Sequence, residues 1–339
     1  MFDLDALRQA AELVHQSIPP TPQHAWPLLA RRLGCQVWVK HENHTPAGAF
    51  KVRGGLVYIQ ELIKREPRLP GLITATRGNH GISLAMAARD AGLQLRILVP
   101  EGNSTEKNAA MRACGAEVIE HGRDFDTARL RAAQLAKTDG WHFVPSLHPD
   151  LIKGVATYAL ELLEAVPDLR RVYVPIGLGS GICGMIRTRD LLGLDTEIIG
   201  VVSSAADAYA ESVEQGRIVC TETADTFADG MACRMPAPEA LEIIRTGAAR
   251  ILRVDDAAIR HAIVALHEDT HNLAEGAGAA ALAAAMQERE RNRGERIAVV
   301  LSGANIDREV LAAILTGKPA VADQSRSNPE TAHSAPAAH

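Results

Sequence analysis

Short apolar runs rich in β-branched residues alternate along this chain with longer stretches of mixed character. The runs fall at residues 71–76, 94–100, 117–120, 141–144, 171–176, 197–202 and 296–301. They are continuous instead of alternating, which is the pattern of strands covered on both faces in a parallel sheet. Between them the apolar positions take helical spacing. The segment GNHGISLAMAARDAG, residues 78–92, predicts a helix closed by Gly92, and residues 111–115 and 126–139 predict two more. Strands separated by helices in this way predict an α/β fold. The spacing inside 68–148 suits a small α/β unit, and residues 1–67 with 149–319 then form a larger one. From residue 320 the periodicity is lost, so 320–339 is expected to be a disordered tail without a regulatory module.

Composition narrows the class. The chain has 339 residues, 47% of them hydrophobic, and a formal net charge of -5, which gives no electrostatic support to a nucleic-acid or anionic-membrane role. Cysteines 35, 114, 183, 220 and 233 show neither C-x-x-C pairing nor a histidine at metal-ligand spacing. That scatter reads as free or buried thiols in a reducing compartment. The acidic, amphipathic start lacks the order of a signal peptide, and no apolar stretch reaches membrane-span length. A cytoplasmic protein is expected.

Four segments carry candidate chemistry. In KHENHTPAGAFKVRGG, residues 40–55, Phe50 and Val52 flank Lys51 and suggest a desolvated amine with a lowered pKa. A neutral amine is what a Schiff base with an aldehyde requires. In ATRGNHG, residues 75–81, two glycines and a helix start offer backbone N–H groups to an anion, although Asn79 as a plain helix cap explains the segment equally well. In PIGLGSGICG, residues 175–184, Gly177, Gly179 and Gly181 form a turn into a helix that can cradle a phosphate, and its spacing does not match a dinucleotide fingerprint. In VVLSGANID, residues 299–307, a buried strand ends in polar residues, where parallel sheets place ligand groups.

Taken in this order, the four segments resemble the fold-type II pyridoxal-phosphate enzymes, and among them the threonine/serine dehydratases, over roughly residues 20–318. The resemblance implies a tryptophan synthase β-like fold of two parallel-sheet, three-layer domains with pyridoxal 5'-phosphate between them. It implies Lys51 as the Schiff-base lysine that also moves the α-proton, and Phe50 against the cofactor ring. It implies Asn79 at the ring oxygen, Ser302 at the ring nitrogen, and Gly177, Leu178, Gly179, Ser180 and Gly181 around the phosphate. The substrate carboxylate is expected on Thr76, Arg77, Gly78 and His80, with Glu275 and the 229–230 pair nearby. The implied activity removes water and ammonia from L-threonine, L-serine or a related 3-hydroxy amino acid, and the family makes a homodimer or homotetramer the expectation. A β-replacement synthase of the same fold and a non-catalytic ligand-binding protein remain the alternatives.

The chain departs from the family pattern in three places. Ala49 stands where serine is usual. Arg77 stands where serine or alanine is usual, which argues against racemase activity. It is either a cation aimed at a second group on the substrate or an arginine turned into a salt bridge or solvent. Val202 and Ala208 replace the carboxylates of metal-dependent relatives, so no metal site is expected and Asp207 reads as a surface or capping residue. His41, His44 and His80 lack ligand geometry and read as cap or polar-surface residues.

Overall fold

The computed structural model describes residues 1–317, so the expected tail at 320–339 lies outside the described residues. Ten strands are present: β1 (Gln23–Ala25), β2 (Gln36–His41), β3 (Leu72–Ala75), β4 (Leu95–Val99), β5 (Glu117–Glu120), β6 (His142–Phe143), β7 (Arg171–Pro175), β8 (Glu197–Ser203), β9 (Arg250–Val254) and β10 (Arg296–Leu301). They form a six-stranded sheet in the order β1-β2-β10-β7-β8-β9 and a four-stranded sheet in the order β5-β4-β3-β6. Every pairing is parallel except that of β1 with β2.

All seven apolar runs are strands. Their side chains divide between two cores, as the strand period of two demands. Ala298 and Val300 of β10 join Val172 and Val174 of β7 in one cluster with the helix Pro149–Ala165. Ile297, Val299 and Leu301 of β10 join Tyr173 in the other, against the helix Gly276–Gln287. That helix reads GAGAAALAAAMQ and is apolar around its whole girth, so it can be buried on every side close to the sheet. The four-stranded sheet is divided likewise, with Ile97 and Val99 on one face and Ile73, Ala75 and Leu98 on the other.

The helix expected at 78–92 runs from Asn79 to Asp90, and Gly92 takes a φ of 68° just beyond it. Two boundaries differ from the sequence reading. The helix expected at 111–115 is Thr105–Ala113, because Ser104 caps it by accepting from the Lys107 N–H at 3.1 Å. Asn79 is not the cap of its helix: Gly78 holds that position, and the Thr76 hydroxyl accepts from the N–H groups of Gly78 and Gly81 at 2.9 and 3.3 Å. The expected capping role of Asp207 also gives way, since its carboxylate accepts from the Arg253 guanidinium at 2.7 Å and caps nothing through its side chain.

Candidate active site

The loops that follow β3, β7 and β10 at their carboxyl ends open on one cavity of about 500 Å³. Phe50, Lys51, Thr76, Arg77, Gly78, Asn79, His80, the loop Gly177 to Gly181 and Ser302 all line it, so every residue singled out from the four motifs meets there. Backbone hydrogen bonds fasten the loops to one another. Phe50 N–H donates to the Ser302 carbonyl at 3.0 Å, Ala304 N–H to Gly48 at 2.9 Å, and Glu275 N–H to Gly303 at 3.1 Å. These bonds set Lys51, the first residue of the helix Lys51–Arg65, beside the end of β10.

Lys51 is half-buried, and its ammonium lies 3.2 Å from the Ser180 hydroxyl and 4.8 Å from the Phe50 ring centre. Burial pushes its pKa down to about 8 against the opposing pull of Glu275. The next turn is anchored from below. Arg53 is fully buried and donates to both oxygens of Glu42 and of Glu161, to the Thr157 hydroxyl and to the Thr21 hydroxyl, at 2.6 to 3.2 Å. Lys40 completes this network with a 2.6 Å bond to Glu161. Burial alone would raise the Glu161 carboxyl, but Arg53 and Lys40 hold it down at about 2.

The glycine loop is uncapped. No side chain caps the helix Ser180–Leu191, and Gly179 before it takes a φ of 99°, which an L side chain adopts only under strain. A Cβ on Gly177 would collide with the Gly230 carbonyl oxygen, so the loop also depends on close backbone approach. Two buried tyrosines hold it in place: Tyr158 donates to the Gly181 carbonyl and Tyr209 to the Leu178 carbonyl, both at 2.9 Å. Across the cavity, the Asn79 side chain donates to Glu275 at 2.5 Å and accepts from Asn305 at 2.8 Å. The ring nitrogen Nε2 of buried His80 has no partner among the described residues. Burial, with Lys51 nearby, pushes His80 down to about 3 and keeps it neutral.

His41 and His80 are thus buried, not surface residues; Trp26 donates to His41 at 3.0 Å, and the His41 ring stacks on that of His44. Arg77 is 41% exposed at the cavity wall, 3.4 Å from Asp229. Lys107, absent from the sequence reading, reaches the same carboxylate at 3.4 Å and Glu275 at 3.7 Å. Burial opposes its charge, but Glu275 and Asp229 raise its pKa and hold it protonated. The sequence reading also missed Tyr158, Tyr209 and Ser83, whose hydroxyl donates to the Lys51 carbonyl at 2.6 Å. Each acts on a motif residue 23 to 32 positions away in another element, so no local spacing marks it.

A family model described as pyridoxal-phosphate dependent enzyme matches residues 14–303. The chain belongs to that family. It is 36% identical over 287 residues to an L-threonine ammonia-lyase of Geobacter sulfurreducens, covering 84% of this chain and 71% of that one. It is 32% identical over 316 residues to the L-threo-3-hydroxyaspartate ammonia-lyase of Saccharomyces cerevisiae, covering 93% and 95%. The structure of processed threonine deaminase isoform 2 from Solanum lycopersicum aligns with a TM-score of 0.85 at 29% identity, covering 93% of this chain and 94% of that one. The chain spans 58% to 60% of the length of the longer biosynthetic threonine dehydratases that it matches. The fold is that of a fold-type II pyridoxal-phosphate enzyme, as the four motifs implied.

The residues present fit the family's cofactor. An uncapped helix start with a neutral glycine loop suits a phosphate, a half-buried amine with a pKa of about 8 suits an aldehyde, and the His80 nitrogen, unpartnered among the described residues, leaves a polar atom to be satisfied in the same cavity.

Proposed function

We propose that this family member is an ammonia-lyase that converts L-threonine, L-serine or a related 3-hydroxy amino acid to a 2-oxo acid and ammonia. The observation that carries the reading is Lys51, a half-buried amine hydrogen-bonded to Ser180 of the glycine loop in a cavity also lined by Asn79, His80 and Ser302. The names of the ammonia-lyase relatives support the same reaction.

In this reading Gly177, Leu178, Gly179, Ser180 and Gly181 hold the cofactor phosphate through backbone N–H groups. Phe50 would lie against its ring, Asn79 would serve the ring oxygen and Ser302 the ring nitrogen. The bound cofactor supplies an electron sink for the charge left at the α-carbon. Lys51 Nζ takes the α-proton, and the low pKa makes its neutral form abundant near pH 8. The loop carrying Thr76, Arg77, Gly78 and His80 holds the substrate carboxylate at the start of the helix Asn79–Asp90, where backbone donors face an anion. Since Thr76 Oγ1 already accepts from two loop N–H groups, Thr76 acts by shaping the loop. Glu275 keeps the Asn79 amide oriented.

The same reading includes the division into residues 1–67 with 149–319 and residues 68–148, supported by the two separate sheets. It also includes a homodimer or homotetramer in the cytoplasm; no helix of the described residues is long and apolar enough to cross a membrane.

The test is 2-oxo acid release by purified protein with added pyridoxal phosphate, beside Lys51→Ala. Release by the native chain and its loss in the variant, together with loss of visible cofactor absorbance, is expected. Turnover retained by Lys51→Ala sinks the assignment. Product formed only after a thiol acceptor is added would transfer the chain to β-replacement.

A further inference from the structure

We propose that Arg77 selects substrates bearing a second carboxylate on the β-carbon, the 3-hydroxyaspartate class. This inference rests on the ammonia-lyase reading above and names the substrate of that same site. Arg77 follows β3 closely and lines the cavity from the loop assigned to the α-carboxylate, which would bring its guanidinium within reach of a substrate's β-substituent. A guanidinium carries five N–H donors in a fixed fork. Here it makes one long contact, 3.4 Å to Asp229, and stays 41% exposed toward the cavity. Most of its donors are therefore free for a ligand.

Asp229 does not depend on Arg77. Lys107 lies 3.4 Å from the other Asp229 oxygen, and its side chain is 9% exposed. Its stem packs on Gly78 so closely that a Cβ there would sit 2.5 Å from the Lys107 Cδ. Lys107 is thus a fixed cation that keeps Asp229 paired when Arg77 turns to a substrate carboxylate. A half-exposed carboxylate such as Asp229 would still favour keeping a cation beside it, and Lys107 supplies one when Arg77 leaves. The geometry also suits a planar fork better than a point charge, since carboxylate recognition by arginine is bidentate. The same cavity is also lined by Phe125, Phe143, Leu147 and Met235, which would favour an aromatic β-substituent, so that class belongs in the test.

The experiment compares holoenzyme and Arg77→Ala on L-threo-3-hydroxyaspartate, L-serine, L-threonine and phenylserine. The readout is the ratio of kcat/KM for hydroxyaspartate over that for serine. Succinate binding, measured by calorimetry, supplies a second readout that needs no turnover. A charge-assisted bond lost without replacement predicts a ratio lowered roughly 10- to 100-fold and succinate bound weaker by a similar factor. Arg77→Lys should recover part of both. An unchanged ratio, an equal loss on every substrate, or a native preference for phenylserine overturns the Arg77 inference while leaving the ammonia-lyase reading intact. Silence on all four substrates with cofactor bound overturns that reading, and this one with it. Should Arg77→Ala fail to fold, Arg77→Gln keeps the bulk and removes the charge, with the same outcomes decisive.

Discussion

Replacing Arg53 by Met tests how the buried network supports the catalytic helix. The native guanidinium bridges Glu42 and Glu161, whose side chains are 0% and 7% exposed. Without it Glu161 keeps Lys40, but Glu42 retains only the Thr21 hydroxyl, at 2.6 Å. Stranding a buried carboxylate by removing its partner costs roughly 3–5 kcal/mol. Against a total stability of about 5–15 kcal/mol for a folded chain, that is a large fraction. Urea denaturation of the holoenzyme at pH 7 should show the midpoint lower by on the order of 1 M, given a slope of about 3 kcal/mol per M or more at this size. The pH dependence supplies a sharper check. The Glu161 carboxyl is held at about 2 instead of its ordinary 4.5, so its contribution is present above pH 4.5 and fades as pH falls toward 2. In Arg53→Met the Glu161 carboxyl loses the larger part of that hold, its pKa rises, and protonation relieves the variant first. The stability gap should therefore narrow between pH 7 and pH 4. A gap under about 1 kcal/mol at pH 7, or one constant with pH, would refute the network's role, since stranded buried charge is the stated cause.

Three further outcomes are expected. With Lys51 at about 8, the neutral amine becomes the majority form above pH 8, so apoenzyme should capture pyridoxal phosphate about fivefold faster at pH 8 than at pH 7, with a plateau above pH 9, followed by visible absorbance. A rate flat from pH 6 to pH 9 would mean that the Lys51 amine does not limit capture. Gly179→Ala forces a side chain into a φ of 99° and brings its Cβ to 2.8 Å from Ala240 Cβ, so cofactor affinity by titration should fall at least about tenfold with far-UV dichroism unchanged; unchanged affinity would remove that loop from the phosphate site. Burial pushes the thiols of Cys35 and Cys233 to about 11 and Cys183 to about 12, whereas Cys220 is exposed. A thiol reagent at pH 8 should therefore modify Cys220 quickly, and Cys220→Ser should remove the fast phase.

What the sequence determined by itself was the material of the two sheets and the identity of the site. Continuous apolar runs mark strands because burial on both faces leaves no polar position, and those seven strands were legible for that reason. Asn79, the loop from Gly177 to Gly181 and Ser302 were legible because each sits just beyond a strand's carboxyl end, with glycines or polar residues where backbone must approach a ligand, and Lys51 because apolar Phe50 and Val52 flank it at a helix start. β9 escaped notice because Arg250 and Arg253 break its apolar run at the sheet edge, and β1 because it has three residues. The helix Thr105–Ala113, largely polar, gave too weak a period to fix its start at the Ser104 cap. Only the tertiary structure decided the pairings between side chains of separate elements, 23 to 226 positions apart. Arg77 and Lys107 share Asp229, Tyr158 fastens Gly181, Arg53 gathers Glu161, and Asn79 turns toward Glu275 and Asn305. A strand or helix period records how each residue alternates between core and solvent. It carries no record of which distant charge will stand opposite, and that is set when the loops of separate elements are brought to one cavity.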